Sequence, residues 1–327
     1  MQISLSYQKI NIVMKGANEA SHSARQNRRQ HLAVLGTTLA TPTLSTFAQP
    51  KESPLFSFGL MADCQYVDAD KKGSRFYRES PAKLEAAIST LNGHNLDFVF
   101  HLGDFIDRDF RSFDTLNPIA AKLKSPLYHA LGNHDLEVEE SKKQEVLKKL
   151  GLKKSYYSFR RRGYRFLIID TTEVSTYRHP KGSEEHSSAV TELERLRKAG
   201  VAGSKPWNGR PSETQLTWIE SELAAASDAQ ETVLLFGHHP ILPDESHAIW
   251  NSSSVDAIFQ KHTCAKLYIN GHNHAGYHLD SKGLHYLTLD GMVETENTNA
   301  FAVADLYSNR LEITGFGRQE SHVLKFR

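Results

Sequence analysis

The sequence predicts an α/β fold in which short strands alternate with helices. Apolar runs at 55–61, 98–102 and 127–131 indicate buried strands, and the segment 81–91 between the first two has helical spacing. Strand, helix and strand at this spacing are typical of βαβ units with right-handed parallel crossovers. Further along the chain, apolar runs at 233–236 and 266–270 predict more strands of the same kind.

The first half of the chain contains two of the four predicted helices. The helix at 81–91 has Ser80 as its predicted N-cap and Pro81 as its first residue. Residues 138–150 predict an amphipathic helix with a solvated Lys/Glu face. Residues 156–160 and 165–169 predict a hairpin.

The second half begins with a polar, Gly-punctuated segment, 175–209, which we expect to be a substrate-facing excursion with one helix near 192–196. Ser212 and Gln215 predict a capping box at the start of a helix that ends at 226. The C-terminal part predicts strands at 284–289, 301–307 and 311–316. Without internal repeats, residues 54–327 predict one domain.

Composition excludes several classes of protein. Among 327 residues, 39% are hydrophobic and 24% are charged, as in ordinary soluble globular proteins. A net charge of +1, without a basic stripe, argues against nucleic-acid binding. No apolar run approaches the roughly 20 residues that span a bilayer. Two cysteines, Cys64 and Cys264, exclude a disulfide scaffold and leave their own pairing open.

The N-terminal 48 residues predict an export signal. Arg28 and Arg29 precede a mildly apolar segment, 33–47, and small residues end at Ala48. This order resembles a bacterial twin-arginine signal, which places the protein in the periplasm or outside the cell. A disordered basic tail on a cytoplasmic protein is the alternative, and Met14 is an alternative start.

Five polar clusters each follow an apolar run, and together they predict one site. Parallel strands bring their carboxyl ends to one edge of a sheet, where loops converge. The clusters contain carboxylate, amide and imidazole groups, which are metal ligands. They are Asp63-Cys64-Gln65, Gly103-Asp104-Phe105-Ile106-Asp107, Gly132-Asn133-His134-Asp135, Gly237-His238-His239-Pro240 and Gly271-His272-Asn273-His274.

These ligands exceed what one tetrahedral ion needs, so the sequence predicts two metals that share a carboxylate. Two ions roughly 3.5–4 Å apart serve in-line displacement at phosphorus. The chemistry predicted from the clusters is therefore hydrolysis of a phosphoester or phosphoanhydride.

The order of the five clusters resembles the calcineurin-like metallophosphoesterase superfamily. The resemblance implies a four-layer α/β/β/α sandwich of two mixed sheets. It also implies a first metal site of Asp63, Gln65, Asp104 and His274. A second site, bridged by Asp104, is completed by Asn133, His238 and His272.

Three further side chains lie close to these ligands in the sequence, and each has a possible role in the site. The resemblance implies that His134 acts as general acid or electrostatic stabiliser at the leaving oxygen. Asp135 is expected to orient His134. His239 is left open between a site role and a structural one.

Gln65 stands where most members of the superfamily have histidine. An amide oxygen is a harder ligand than imidazole and favours Mn²⁺, with Fe, Zn or Mg as alternatives. The same pattern occurs in a narrower group, the Mn²⁺-dependent ADP-ribose/CDP-alcohol diphosphatases. Further stretches resemble that group: 63–66, 75–80, 103–107, 248–251, 271–277 and 287–295.

Substrate contacts are predicted around this centre. Guanidinium groups pair well with phosphate, so Arg75, Arg78 and Arg108 are candidates, although ordinary salt bridges are equally compatible. The aromatic candidates for base stacking also suit core packing. They are Tyr66, Tyr77, Trp250 and Tyr277, with Asn251 and Glu294 as further pocket residues.

The main functional hypothesis is hydrolysis of ADP-ribose, CDP-choline or CDP-glycerol to AMP or CMP plus a phosphorylated sugar or alcohol. One alternative is a cyclic-nucleotide or glycerophosphodiester phosphodiesterase. Another is a non-catalytic binding protein, which the complete ligand set argues against. The oligomeric state is left open, and a monomer is compatible with the sequence.

Overall fold

The computed structural model describes residues 52–327, which form two six-stranded sheets. The first sheet has the order β12-β11-β10-β1-β2-β3. Its strands are β1 (Phe56–Met61), β2 (Phe98–Leu102), β3 (Leu127–Ala130), β10 (Ala300–Leu306), β11 (Arg310–Gly317) and β12 (His322–Lys325). Strands β1, β2 and β3 are parallel, as the sequence predicts, while β10, β11 and β12 pair antiparallel.

The second sheet has the order β4-β5-β6-β7-β9-β8. Strands β5, β6, β7 and β9 are parallel, with an antiparallel strand at each edge. The strands are β4 (Tyr157–Arg161), β5 (Tyr164–Ile168), β6 (Thr232–Phe236), β7 (Ala265–Asn270), β8 (Ala275–Ser281) and β9 (Leu284–Asp290).

Helices cover the outer face of each sheet. The helices are α1 (Ser80–Leu91), α2 (Ser112–Ala120), α3 (Asn133–Leu136), α4 (Val146–Lys149), α5 (Glu184–Lys198), α6 (Glu213–Asp228) and α7 (Ser252–Lys261). Side chains of β1, β2, β5, β6 and β7 share one core between the sheets. Separate cores lie under α1 and α2 and under α6 and α7. The predicted four-layer α/β/β/α sandwich is confirmed.

The structure differs from the predicted elements mainly in the helices. The helix predicted at 138–150 is confirmed only in part, because the segment forms a 3₁₀ helix at Glu140–Glu145 that continues into the short α4. The helix expected near 192–196 is longer and begins at residue 184, where the Ser183 hydroxyl accepts the His186 N–H. Helices α2 and α7 and strands β8 and β12 have no counterpart in the prediction. No helix among residues 52–327 is long and apolar enough to cross a membrane.

Only half of the predicted capping box forms. The Ser212 hydroxyl accepts the N–H of Gln215 at 3.1 Å. The Gln215 side chain turns to Asp170 instead, accepting its N–H at 2.8 Å and donating to its carbonyl at 3.0 Å. Gln215 therefore ties α6 to the end of β5. The predicted export signal, residues 1–48, lies outside the described residues.

Two buried histidines, His101 on β2 and His129 on β3, lie opposite each other in the first sheet. Within residues 52–327, both ring nitrogens of His101 and the Nδ1 of His129 lack a hydrogen-bond partner. Burial lowers the pKa of His129 to about 4. A buried imidazole of this kind stays neutral, because its charged form would lose hydration without compensation.

His129 makes the stability of the fold depend on pH. The unfolded chain, with an imidazole pKa of about 6.5, binds more protons than the folded chain, so the free energy of unfolding falls as pH drops from 6.5 to about 4. Over this pH interval, we expect the free energy of unfolding of His129→Phe to fall by about 3 kcal/mol less than that of the wild type. Urea unfolding of metal-free protein measures it, and equal losses in both proteins would contradict the assignment.

Candidate metal centre

The five predicted clusters meet at one end of the two sheets. Each begins within three residues of the carboxyl end of its strand, which is β1, β2, β3, β6 or β7. All seven predicted ligands are at most 9% exposed. They are Asp63, Gln65, Asp104, Asn133, His238, His272 and His274.

Glycines allow the ligand loops to approach one another closely. A Cβ at Gly132 would lie 2.1 Å from Asp104 Oδ1, and one at Gly271 would lie 2.5 Å from Asp63 Oδ2. Gly103 faces His238 in the same way. Any larger residue at these positions would displace a ligand side chain, which explains why glycine recurs in the clusters.

The ligands themselves have strained backbones. Positive φ angles occur at Asp63 (53°), Gln65 (45°), Asp104 (54°) and His272 (70°). Non-glycine residues rarely adopt this region, and each such residue costs roughly 1–3 kcal/mol. The surrounding contacts therefore hold the loops in a conformation that directs side chains inward.

His238 lies at the centre of the second predicted site. Its Nε2 is 3.3 Å from Asp104 Oδ2, 3.3 Å from Asn133 Oδ1 and 3.2 Å from His272 Nδ1. Ligand atoms of Asp63, Asp104 and His238 all lie within 4.8 Å of one another. Asp104 thus stands between the two predicted sites, as a bridging ligand must.

The first predicted site contains an acceptor without a donor. Gln65 Nε2 donates to Asp104 Oδ2 at 2.9 Å, which leaves Gln65 Oε1 buried and without a hydrogen-bond partner among residues 52–327. His274 Nε2 lies 3.5 Å from Asp63 Oδ1. A buried oxygen without a donor is costly unless a cation binds it, so this arrangement fits a hard divalent ion.

Electrostatics point to a cation site as well. Burial lowers the pKa of His238, but the Asp104 carboxylate outweighs it and raises the pKa to about 9. The pKa of His274 also reaches about 9, because Asp63 and Glu294 outweigh burial. Burial raises the pKa of Asp104, yet His238 and His134 bring it well below its usual range. The same carboxylates that stabilise protons on these two imidazoles would stabilise a divalent cation, whose binding releases the protons.

Hydrogen bonds to the far nitrogens fix the tautomer of each histidine ligand. His238 Nδ1 donates to the Leu102 carbonyl at 2.8 Å, so its Nε2 faces the site. His274 Nδ1 contacts Glu294 Oε1 at 2.7 Å and leaves Nε2 free. His272 is reversed, with Nε2 at 2.9 Å from Asn208 Oδ1 and Nδ1 facing the site. Such outer partners orient metal-binding imidazoles.

Sequence reasoning missed Asn208. Its Nδ2 donates to the carbonyls of Gly203 and Ser246, both at 2.8 Å, so its Oδ1 must point to His272. The fully buried amide lies in the polar segment between α5 and α6, far in sequence from every ligand. Its only sequence signal is Trp207-Asn208-Gly209, which does not by itself indicate a site.

The imidazole of the catalytic candidate His134 contacts Asp107, while the Asp135 carboxylate faces backbone N–H groups, which corrects the predicted role of Asp135. An Asp107 carboxylate oxygen contacts His134 Nδ1, and His134 Nε2 lies 3.9 Å from Asp104 Oδ2. The Asp135 carboxylate instead accepts the backbone N–H groups of Asp104, Phe105, Ile106 and Gly132.

His239 has both ring nitrogens engaged outside the metal centre. Nδ1 is 2.8 Å from Thr171 Oγ1, and Nε2 donates to the Trp207 carbonyl at 3.0 Å. Its ring atoms lie near those of His238 and His272, so proximity alone makes it a possible ligand. The two hydrogen bonds assign it to the support of the Trp207–Asn208 segment.

The predicted substrate residues separate into two groups. Arg75 and Arg108 are partly exposed near the ligands, where Arg75 lies 3.9 Å from Glu294 and Arg108 pairs with Glu137, and Tyr277 is exposed on the edge strand β8. The others do not present a free group to the centre. Arg78 pairs with Asp68 and Asp70 at the surface, Tyr77 and Trp250 are buried, and Asn251 precedes α7.

A cleft beside His134 was not predicted. Arg108, Glu137 and Tyr177 line it together with Trp207, whose side chain is 41% exposed. Trp207 is adjacent in sequence to Asn208, which contacts His272, and Arg108 is adjacent to Asp107, which contacts His134, but none of the seven predicted ligands lines the cleft itself. An exposed indole in this place is a surface on which a planar group can stack.

Comparison with known proteins gives consistent matches. The sequence profile of the calcineurin-like phosphoesterase family matches residues 56–276. The manganese-dependent ADP-ribose/CDP-alcohol diphosphatase of Arabidopsis thaliana is 32% identical over 82% of this chain and 96% of that protein. The Xenopus tropicalis protein of the same name is 28% identical over 84% and 96%. A dimetal phosphatase from Danio rerio superimposes with a TM-score of 0.77 at 27% identity, covering 84% of this chain and 100% of that chain.

Adjacent histidines provide a matched test of the ligand assignment. His238→Ala removes a nitrogen that faces Asp104 and Asn133, so we expect Mn²⁺ bound after refilling to fall from two equivalents to one. His239→Ala removes a ring whose nitrogens are already engaged, and both equivalents should remain. Elemental analysis of desalted protein gives the stoichiometry. Metal loss in the His239 variant alone would reverse the two roles.

Proposed function

The chain belongs to the calcineurin-like phosphoesterase family, and on this premise we propose that it hydrolyses the phosphoanhydride bond of nucleoside diphosphate compounds. ADP-ribose, CDP-choline and CDP-glycerol represent the substrate class, and AMP or CMP is one product. The observation that carries the proposal is the complete set of seven buried ligands with Gln65 in place of histidine. Relatives named for this activity align over more than four-fifths of the chain.

The protein is a dinuclear metal-dependent phosphohydrolase, and the name of its relatives includes manganese. When bound, the two divalent ions stabilise the entering and leaving oxygens and lower the pKa of a water molecule. The first ion would be held by Asp63, Gln65, Asp104 and His274. The second would be held by Asp104, Asn133, His238 and His272. Because amide and carboxylate oxygens predominate in the first set, Mn²⁺ is favoured there.

We propose that His134 acts on the leaving oxygen. Its Nδ1 contacts Asp107, and the opposite nitrogen, Nε2, lies 3.9 Å from Asp104 Oδ2. During hydrolysis a water oxygen bonds to phosphorus and the bridging P–O bond breaks. The departing phosphate oxygen gains negative charge, which a proton or hydrogen bond from His134 stabilises.

Three partly exposed side chains support recognition of the rest of the substrate. Arg108 and Arg75 offer guanidinium groups beside the ligands, each now paired with a carboxylate that a phosphate would compete with. Trp207 offers a flat apolar face in the adjoining cleft. A diphosphate that carries a base on one side and an alcohol on the other has both the charged oxygens that these arginines can bind and a planar ring that can stack on Trp207.

We also propose that residues 1–48 export the protein through a twin-arginine route. Support comes from the Arg28-Arg29 pair and the apolar segment that follows it. Such a route transports folded proteins and so suits a metal centre that is filled before export. Replacing both arginines by lysine should retain the protein in the cytoplasm of a bacterial host, as cell fractionation would show. Unchanged export would contradict the proposal.

The activity is tested with metal-stripped protein refilled with Mn²⁺, Mg²⁺ or Zn²⁺. We expect AMP or CMP from at least one of ADP-ribose, CDP-choline and CDP-glycerol, with Mn²⁺ the best metal, and chromatography identifies the products. Bis(p-nitrophenyl) phosphate serves as the diester control. Cleavage of simple diesters alone would favour the phosphodiesterase alternative and contradict the diphosphatase.

The role of His134 is tested by replacement. His134→Ala should retain two Mn²⁺ equivalents and lose turnover by about 10²-fold or more. Asp107→Asn should lose less, because the imidazole remains but its orientation weakens. Steady-state kinetics beside metal analysis separates rate from metal loss. An unchanged rate in His134→Ala would remove the proposed role.

A further inference from the structure

A short segment after β9, residues 292–295, passes directly behind the first metal site, and we call it the strap. The Met292 N–H donates to the Ala62 carbonyl at 3.1 Å, and the Val293 N–H donates to the Asp63 carbonyl at 2.9 Å. Thr295 has a positive φ of 62°. The strap therefore follows the ligand loop of β1 residue by residue and is held in a strained conformation.

Lys83 provides the anchor of this strap. It lies on α1 and is only 6% exposed, which is unusual for a lysine outside an ion pair. Its Nζ donates to the carbonyls of Met292 at 2.7 Å, Thr295 at 2.8 Å and Glu294 at 3.3 Å. The three N–H groups of the ammonium thus all bind backbone carbonyls of one four-residue segment.

The strap in turn presents Glu294 to the metal centre. Glu294 Oε1 lies 2.7 Å from His274 Nδ1 and turns the opposite nitrogen, Nε2, toward Asp63 at 3.5 Å. The Glu294 side chain is 12% exposed, so its orientation follows the backbone that carries it. Lys83 is therefore connected to a metal ligand through one backbone segment and one carboxylate.

We propose that Lys83 is a positioning residue for the first metal site and acts through the strap and Glu294 on His274. The inference rests on His274 being a metal ligand, as in the proposed function. Removal of the ammonium deprives the buried carbonyl of Met292 and the partly buried carbonyls of Glu294 and Thr295 of this donor, which is unfavourable. The strap would relax and release Glu294 from the imidazole. Outer partners of metal ligands typically change affinity by about 10–100-fold.

The test is calorimetric titration of metal-free protein with Mn²⁺, fitted to two sites. We expect Lys83→Met and Glu294→Gln each to weaken the first site by about tenfold or more and to leave the second site close to wild type. The double variant should be little weaker than the worse single variant, because both changes remove one pathway to His274. Apparent KM for activating Mn²⁺ should rise more than kcat falls.

Lys143→Met is the matched control. Lys143 is also a buried lysine and also donates to backbone carbonyls, those of Leu136 and Tyr177, without contact to the strap. We expect it to lower stability and leave the first-site affinity unchanged. Equal weakening of that site by Lys143→Met would show a general effect of losing a buried lysine and would overturn the proposal.

The remaining outcomes are equally decisive. Wild-type first-site affinity in Lys83→Met, or additive losses in the double variant, would overturn the positioning role and leave the diphosphatase function standing. If Lys83→Met does not fold, Glu294→Gln decides, since wild-type affinity in that variant breaks the connection to His274. A wild-type protein that binds no Mn²⁺ would overturn the positioning role and the proposed function together.

Discussion

The geometry of the metal centre depends on one buried carboxylate that binds no metal. Asp135, which is fully buried, accepts four backbone N–H groups at 2.8–3.1 Å from two different strand-end loops. Burial and the neighbouring Asp104 carboxylate raise the pKa of Asp135 to about 7, and the backbone N–H groups act in the opposite direction by stabilising its charged form. Asp104 completes the connection when its Oδ1 accepts the His134 N–H at 2.8 Å. The two loops are thereby held as one unit, and the bridging ligand and the candidate acid are fixed together.

This arrangement concentrates negative charge, strain and close backbone approach in one place. Without other constraints the positive φ angles at Asp63, Gln65 and Asp104 would relax. Two β-sheets with a shared apolar core provide the rigid base, and the loops at their common end carry the chemistry. The packed layers stabilise the fold, and part of that stability offsets the strain at the metal centre, which bound cations complete.

Much of the fold and of the metal centre could be predicted from sequence because strand and ligand are adjacent in the chain. The apolar run before Asp104 and the run before His272 each predict both the strand and the place where its ligand emerges. Prediction was weaker where a role depends on residues that meet only in the folded chain. Asn208 contacts His272 and Lys83 contacts the strap carbonyls, all far away in sequence, and no local pattern indicates these roles.

The same reasoning explains why the substrate residues are harder to predict than the metal ligands. Arg78 is taken by Asp68 and Asp70, and Trp250 is packed under α5, where its Nε1 donates to the Lys205 carbonyl at 3.1 Å. From sequence alone, an arginine is compatible with a surface salt bridge or a ligand contact, and a tryptophan is compatible with core packing or a ligand contact. Trp207 illustrates the reverse case, since a polar segment of irregular structure gave no reason to expect an exposed ring beside the centre.

We expect two metal ions to lie on either side of the Asp104 carboxylate. The most direct measurement is an anomalous difference map, collected near the manganese absorption edge, from crystals grown with Mn²⁺. We predict two peaks that share the Asp104 carboxylate, one also bound by Gln65 Oε1 and His274 Nε2 and the other by His238 Nε2 and His272 Nδ1. A single peak, or a peak among His238, His239 and His272 without Asp104, would contradict the account.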